Sequence, residues 1–300
     1  MKPIITIIIR SWNSLPYLKL CLESIQKYTD IPHEMIIVDN HSTDGTRSFL
    51  RNIRCKKILN KRNLGGVVSL RQAEKEVKTD FLISLDSDVI VSPNWAGDLL
   101  KNYFSYPNIK AIGPIKPGSK FIHPYTKINS RISWENLKKS FPNADPQFLL
   151  SQYIKPKSYE SFAEDFKKIN NYGNVILECP PEFLSGCCIM TEREFIKKIG
   201  GLADRRYKKY GTEDADLCWR IADAGFNIMR TGNVFIHHFE GGSRERNKLE
   251  VDRILKDNNK LFLKRWRRVF YKWLKSKING GMGIEEIKQK YWFAKILLDL

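Results

Sequence analysis

Two aspartates separated by one residue, Asp86 and Asp88, directly follow a short apolar run at Phe81–Leu85. Carboxylate oxygens are the ligands that Mg²⁺ and Mn²⁺ prefer, and both ions keep coordination positions open for phosphate oxygens. At the end of a strand, such a pair can hold a divalent cation that also contacts a nucleotide diphosphate. The same spacing occurs in solvated turns, so its meaning depends on the residues that lie nearby.

Side chains suited to nucleotide binding follow two other apolar runs. Trp12 comes shortly after Ile4–Ile9, and Asp39 directly follows Met35–Val38. An aromatic ring can stack on a nucleobase, and a carboxylate can accept a hydrogen bond from an N–H on the base edge. With the aspartate pair, these residues predict a nucleotide-diphosphate site. The alternative is that Trp12 caps the core and Asp39 is a turn residue.

Three carboxylates, Glu213, Asp214 and Asp216, fall within four positions at a predicted helix start. Acidic residues are favoured there by the helix dipole alone. The functional interpretation is that one of them acts as a general base and deprotonates an acceptor hydroxyl. Asp216 could instead pair with Arg220, which lies one turn further along the helix.

The elements that must position these residues alternate between strands and helices. Apolar runs predict strands at 4–9, 35–38, 58–59 and 81–85, with amphipathic helices between them. This order is typical of βαβ units, which place ligands at the carboxyl ends of their strands. Residues 116–180 contain six prolines and interrupt the pattern, so we predict an insertion there. Helices over 192–199 and 214–224 and a strand at 234–236 follow.

Several segments together resemble a family 2 glycosyltransferase of the GT-A fold. They are ITIIIRSWN, MIIVDNHSTDGT, NLGG, TDFLISLDSDVIVSPNW, FLSGCCIMTEREFIKKIGGL and YGTEDADLCWRIADAGFNI followed by VFIHH. They cover about residues 3–115 and 181–243. The resemblance implies an α/β, Rossmann-like and mostly parallel central sheet flanked by helices. It also suggests a division into a nucleotide-sugar-binding half (1–115), the insertion (116–180), an acceptor and catalytic half (181–243) and a basic helical tail (244–300).

The resemblance also implies roles for individual residues. Trp12 would stack on the base and Asp39 would contact the base edge. In the D-x-D motif, Asp88 would ligate the metal directly, while Asp86 would lie toward the ribose and the metal. Asp214, with Glu213 beside it, matches the catalytic base of inverting members.

Five further positions bear on the site. A histidine after the last strand ligates metal in some relatives, and we prefer His238 to His237 because of the Gly-Gly-Ser that follows it. Adjacent strand residues face opposite ways, so only one of the two should reach the metal. Asn63 and Arg71 are assigned to nucleotide-sugar binding, although Arg71 stands where the family commonly has asparagine and could instead pair with Glu74 or Glu76. Arg10 stands where the family more often has proline.

The resemblance implies a metal-dependent, inverting hexosyl- or N-acetylhexosaminyltransferase. The cofactor would be Mn²⁺ or Mg²⁺, and the donor a nucleotide-diphosphate sugar. The acceptor would be a hydroxyl of a glycan or lipid-linked sugar, in surface polysaccharide or glycolipid synthesis. The alternative is a non-catalytic GT-A-like binding protein that engages an anionic membrane or nucleic acid through its tail.

The net charge of +18 is concentrated toward the end of the chain. Residues 241–300 hold 16 Lys and Arg against 7 Asp and Glu, which is half of the excess. Within 260–277 there are eight basic residues and no acidic one, and a helix would place its Trp and Phe side chains on one face. That pattern predicts either an interfacial helix on an anionic membrane or a helix whose aromatic face packs on the catalytic part. No nucleic-acid-binding module is recognisable, so nucleic acid is not expected as a partner.

Composition and cysteine spacing bound the class of protein. With 42% hydrophobic residues, the chain can bury a core, which excludes wholesale disorder. The six cysteines form no C-x-x-C pair, and no apolar stretch is long enough for a membrane span. These features predict a cytoplasmic protein, with membrane contact only as a peripheral protein at the inner face.

Overall fold

The computed structural model describes residues 4–171, 173–240 and 251–300. The first part consists of strand and helix units, as predicted. Its elements are β1 (Ile5–Ser11), α1 (Leu15–Tyr28), β2 (His33–Asp39), α2 (Thr46–Arg51), β3 (Lys56–Leu59), α3 (Gly66–Glu74), β4 (Phe81–Asp86), β5 (Val89–Val91), α4 (Trp95–Ser105) and β6 (Ile109–Ile115).

The remaining elements include three helices in the predicted insertion and three at the end of the chain. They are α5 (Ser130–Ser140), α6 (Pro146–Ile154), α7 (Tyr159–Asn170), β7 (Asn174–Ile176), β8 (Cys188–Glu192), α8 (Arg193–Lys198), α9 (Glu213–Asp223), β9 (Asn227–His238), α10 (Val251–Asn279), α11 (Ile284–Lys290) and α12 (Trp292–Leu298).

One central sheet organises the fold, in the order β3-β2-β1-β4-β8-β6-β9-β5, with β7 paired to β9. The pairs among β3, β2, β1 and β4 are parallel, as βαβ units require. Beyond β4 the sheet is mixed, because β8 runs antiparallel to β4 and β6, and β5 runs antiparallel to β9. Only two residues separate β4 from β5, too few for a parallel crossover. The α/β class with a helix-flanked central sheet is confirmed.

Strand β1 shows why its sequence is uniformly apolar. Ile8 belongs to the hydrophobic cluster on one face of the sheet, whereas Ile7 and Ile9 belong to the cluster on the other face. All three side chains are fully buried. A strand covered on both faces has no polar alternation, which is how a parallel strand in the middle of an α/β sheet reads in sequence.

The segment predicted as an insertion packs against the end of β9. Trp134, Tyr153 and Phe162 from α5, α6 and α7 form a third cluster with Phe235 and Phe239. Strand β7 joins the main sheet by pairing with β9. The helices therefore brace the edge of the sheet that carries the D-x-D motif and the two histidines. The four-part division of the chain stays a prediction.

The predicted tail helix is longer than expected, since α10 spans Val251–Asn279. Its aromatic side chains Phe262, Trp266 and Phe270 are buried and pack around Trp219 of α9, with the Phe262 and Trp219 ring centroids 4.7 Å apart. Of the two alternatives for this face, packing on the catalytic part is the one that the structure shows. The aromatic face is therefore not available to a membrane. No helix within the described ranges combines the length and hydropathy needed to cross a bilayer.

Candidate active site

The register between β5 and β9 brings the D-x-D motif to a histidine. Val89, the first residue of β5, lies opposite His238, so Asp88 is next to that histidine. His238 Nε2 lies 3.2 Å from Asp88 Oδ1 and 3.9 Å from Asp86 Oδ2. One ligand atom from each of the three residues lies within 4.8 Å of the others. Two carboxylates and an imidazole at this spacing form a possible site for a divalent cation.

His237 points to the other side of β9, as the alternation of strand side chains predicts. Its ring is buried among Trp134, Tyr153 and Phe239, with centroid distances of 4.8, 5.1 and 4.9 Å. Burial lowers the pKa of His237 to about 3, so the ring is neutral at physiological pH. The structure thus brings His238, and not His237, to the aspartate pair.

A cavity of about 360 Å³ opens beside this cluster. Predicted site residues Trp12, Asn63, Asp86, Asp88 and His238 all line it. Other lining residues include Arg10, Asn40, Gly65, Gly66, Lys209, Tyr210 and Ile254. This volume lies in the range of small-molecule binding pockets. The ends of β1 and β4 and the start of α3 therefore converge on one cavity, as the βαβ order predicts.

Asp39 lies deeper than predicted and does not line the cavity. It is fully buried, and its Oδ2 accepts hydrogen bonds from Arg47 Nε (2.7 Å) and the Ser42 amide (3.1 Å). Its Oδ1 is buried and has no hydrogen-bond partner among the described residues. This oxygen could accept a hydrogen bond from a ligand, but Asp39 does not line the cavity. Its contact with a nucleobase therefore stays a prediction.

Sequence reasoning missed Asn40, which does line the cavity. Its Oδ1 accepts hydrogen bonds from the Leu64 amide (3.1 Å) and from Asn60 Nδ2 (3.0 Å). Because the Leu64 N–H can only donate, the orientation of the Asn40 side-chain amide is determined. Its position directly after the Asp39 that ends β2 was the signal available in the sequence.

The structure does not support the assignment of Arg71 to the nucleotide site. Only the start of α3, at Gly65 and Gly66, reaches the cavity, whereas Arg71 lies further along the helix and is absent from the lining. Burial raises the pKa of Glu74, and the nearby positive charge of Arg71 opposes that rise only in part. Of the alternatives considered, proximity to Glu74 is the one the structure favours, while Glu76 pairs with Lys56.

Asp214 and Glu213 line a smaller cavity of about 10 Å³, which shares Arg10 with the large one. Asp214 accepts hydrogen bonds from the backbone amides of Gly186 and Ala215, each at 2.9 Å. Burial, and secondarily the negative charge of Glu213, raises the pKa of Asp214 to about 7. A carboxylate with this pKa can take a proton at neutral pH, as a general base must.

Arg10 joins the two cavities and lines both. Its guanidinium donates to Asp86 Oδ1 at 2.7 Å and to Glu213 Oε1 at 3.1 Å. One partly buried cation thus connects the D-x-D motif with the start of α9, which are far apart in the chain. The sequence signal was a charged residue at a position where the resembling family more often has proline.

A model of glycosyl transferase family 2 matches residues 6–200, well over half of the chain. The chain belongs to this family. A second family model, described as the N-terminal domain of galactosyltransferase, matches residues 177–240, which include α9 and both histidines. The resemblance noted from the motifs is therefore confirmed.

Curated relatives of this family 2 glycosyltransferase are distant. The uncharacterized glycosyltransferase YfnE of Bacillus subtilis is 28% identical over 77% of this chain and 64% of its own length. The N-acetylglucosaminyl-diphospho-decaprenol L-rhamnosyltransferase of Mycobacterium tuberculosis is 22% identical over 82% of this chain and 79% of its own. The chain thus spans a little under two thirds of YfnE.

Two solved structures share the GT-A fold. The mannosyltransferase PcManGT of Pyrobaculum calidifontis, in complex with GDP-Man and Mn²⁺, has a TM-score of 0.51 and 17% identity, covering 79% of this chain and 57% of that one. GalNAc-T7 with UDP, GalNAc and Mn²⁺ has a TM-score of 0.53 and 16% identity, covering 79% and 44%. At these identities the likeness concerns the fold alone.

Proposed function

We propose that this family 2 glycosyltransferase is metal-dependent and inverting, and transfers a sugar from a nucleotide-diphosphate donor to an acceptor hydroxyl. The observation that carries the proposal is the cluster of Asp86, Asp88 and His238 at the wall of a cavity that Trp12 also lines. A metal cluster and an aromatic ring in one cavity suit the two ends of a nucleotide diphosphate.

The donor atoms fit a divalent cation. Asp88 and His238 would be the direct ligands, and Asp86 would complete the site. Carboxylates suit both Mg²⁺ and Mn²⁺, whereas an imidazole ligand suits Mn²⁺ better than Mg²⁺. Such a cation would neutralise negative charge on a leaving diphosphate. Mn²⁺ is present in the two solved structures of similar fold, which supports the choice of metal.

The cavity suggests how a donor would be bound. Trp12 would stack on the base, Asp86 would approach the ribose, and Asn63, which lines the same cavity, would contact the nucleotide sugar. Asp39 would accept from the base edge through its orphaned Oδ1. The structures of similar fold contain GDP-Man in one case and UDP in the other, so both bases are included in the test.

Asp214 would act as the base and remove the proton from the attacking hydroxyl. Its raised pKa suits proton transfer near neutral pH, and the hydrogen bond from the Gly186 amide fixes the orientation of its side chain. Glu213 is occupied by Arg10, which leaves Asp214 as the carboxylate suited to proton transfer. A single displacement assisted by one base inverts the anomeric configuration.

We further propose a glycan or lipid-linked acceptor, in surface polysaccharide or glycolipid synthesis at the cytoplasmic side of a membrane. The support is the Mycobacterium tuberculosis relative, whose name describes a sugar linked through diphosphate to decaprenol. Eight exposed basic residues on α10 offer a means of contact with an anionic membrane: Arg253, Lys256, Lys260, Lys264, Arg267, Arg268, Lys272 and Lys275.

The test is a screen of UDP, GDP and dTDP sugars with Mn²⁺, following donor hydrolysis and binding of each nucleotide diphosphate. We expect turnover with one donor class, and at least about tenfold weaker binding in Asp88→Ala because a metal ligand is lost. Asp80→Ala, which removes an exposed carboxylate beside the opposite end of β4, is the matched control and should bind normally. Absence of turnover together with unchanged binding in Asp88→Ala would favour the non-catalytic binding protein.

A further inference from the structure

Helix α10 contacts the chain segment that leads into α9. The side chain of Asn258 is buried, and its Oδ1 accepts a hydrogen bond from the Lys208 amide at 3.2 Å. Its Nδ2 lies within hydrogen-bond distance of the carbonyl oxygens of Lys208 (3.1 Å), Tyr210 (2.9 Å) and Gly211 (3.0 Å). One turn of α10 therefore holds residues 208–211, which we call the wall segment.

The wall segment forms part of the large cavity. Lys209 and Tyr210 line it, and so does Ile254 from the first turn of α10. The Lys209 carbonyl accepts a hydrogen bond from the Gly66 amide at 2.6 Å, which links the segment to the start of α3. A Cβ on Gly65 would lie 2.4 Å from Lys209 Cα, so only glycine permits this approach. The segment thus forms part of the cavity wall where it contacts the start of α3.

The backbone of this region is not in a relaxed conformation. Lys209 and Thr212 have φ angles of 58° and 71°, in the left-handed region that residues with a Cβ rarely adopt. Such conformations persist where surrounding contacts hold them. The Asn258 hydrogen bonds hold Lys209 from both sides, and Thr212 Oγ1 donates to Asn259 Oδ1 at 2.8 Å.

A second anchor connects α10 to the helix that carries Glu213 and Asp214. Asp216 is fully buried on α9, and its Oδ1 lies within hydrogen-bond distance of three donors, Tyr207 Oη (3.0 Å), Arg265 Nη1 (2.6 Å) and Trp266 Nε1 (3.0 Å). Its Oδ2 accepts from Arg220 Nε at 2.7 Å. The two donors from α10 fix α9 one turn beyond its two site carboxylates.

We infer that α10 is a working part of the active site, with Asn258 as the positioning residue that sets the cavity wall at Lys209 and Tyr210. The inference rests on the proposed function for its effect on donor affinity. Loss of the Asn258 amide leaves the fold in place but frees the wall segment, so donor affinity falls more than overall stability.

The test compares four variants by amide hydrogen exchange over residues 207–212 and by Mn²⁺-dependent binding of UDP, GDP and dTDP. Asn258→Ala should raise exchange of the wall segment and weaken binding about tenfold, because the hydrogen bonds that hold the segment are lost. Asn258→Asp has the same shape but turns a carboxylate toward three carbonyl oxygens, so its effect should be larger.

Two controls separate positioning from general stability. Leu274→Ala removes a buried side chain of the same helix, sixteen residues from Asn258, and should lower Tm without changing wall-segment exchange or binding. Lys264→Ala, on the exposed face, should change none of the three. Equal exchange and binding in Asn258→Ala and Leu274→Ala would overturn the inference. If the unaltered protein binds no nucleotide diphosphate, the proposed function fails, and the exchange comparison alone decides whether Asn258 holds the segment.

Discussion

Two neighbouring carboxylates at the start of α9 have different surroundings. Glu213 forms an ion pair with Arg10, whose guanidinium keeps its charge and also pairs with Asp86. Asp214 is partly buried, and its desolvation together with the negative charge of Glu213 raises its pKa, although the backbone amides of Gly186 and Ala215 donate hydrogen bonds to it. Where two nearby carboxyl groups have surroundings this different, they commonly take different roles in acid–base catalysis. Arg10 therefore neutralises and holds the carboxylates of Asp86 and Glu213, whereas Asp214 can exchange a proton.

Replacing Asp214 with asparagine should lower kcat about 10²- to 10⁴-fold, since a general base contributes on that order. Nucleotide-diphosphate affinity should change less than twofold, because Asp214 does not line the large cavity. Steady-state kinetics and calorimetry measure the two effects. Asp223→Asn, an exposed carboxylate at the other end of α9, should leave both unchanged. A kcat within a factor of three of the unaltered enzyme would exclude Asp214 as the base.

The raised pKa of Asp214 also predicts a pH dependence. A base must be deprotonated, so kcat/KM should fall about tenfold per pH unit below about pH 7, where Asp214 becomes protonated. Arg10 stays charged across this range, and its pKa is raised further by Asp86 and Glu213 against the effect of burial. A profile that is flat down to pH 5 would show that another group accepts the proton.

Helix α10 is the element whose sequence pattern was open to two interpretations. Its aromatic face packs on α9 and α12, with Phe262 also 5.2 Å from the ring of Phe293. The opposite face carries the exposed basic residues. Aromatic faces with basic backs occur both at membranes and in buried helices, and only the partner surface distinguishes them.

If this packing supports the fold, Phe270→Ala should lower the free energy of unfolding by about 3–5 kcal/mol, as for other large buried aromatic side chains. Tyr271→Ala, at the adjacent and 46% exposed position, should change it by less than about 1 kcal/mol. Urea denaturation followed by tryptophan fluorescence measures both. Equal small effects in the two variants would mean that the aromatic face of α10 is not part of the core.

The net charge of +18 is unevenly distributed over the molecule. The outward basic residues of α10 form no ion pair with any carboxylate in the described ranges, unlike Arg265 and Lys277 on its inner side. Because the aromatic face is buried, attraction to a membrane would be electrostatic and would weaken as salt screens it.

Vesicle binding tests this surface. Neutralising Lys264, Arg267, Arg268 and Lys272 to glutamine should weaken binding to phosphatidylserine-containing vesicles at least tenfold, at about 1 kcal/mol per cation near such a surface. The matched control neutralises the exposed Lys61, Lys75, Lys78 and Lys198, with the same change in net charge. Co-sedimentation at low and high salt is the measurement. Equal binding by both variants would locate any membrane contact elsewhere.

The way the predicted residues gather at one cavity was predictable because it depends on local order in the chain. In a run of βαβ units the strand ends share one edge, so Trp12, Asn63, Asp86 and Asp88 meet whatever the details of packing. The choice of His238 over His237 agrees with the two-residue alternation of β9 once its register with β5 is known. The motifs and their order also determined the family and the α/β class.

The tertiary structure alone decided which distant segments meet. The pairing of Arg10 with Glu213 and the hold of Asn258 on the wall segment join residues separated by 203 and about 50 positions. No periodicity or motif in the chain encodes such contacts. It also decided that Arg71 lies away from the cavity and that the aromatic face of α10 covers α9. These outcomes depend on which surfaces are left to bury once the sheet has formed, and that is a property of the assembled fold.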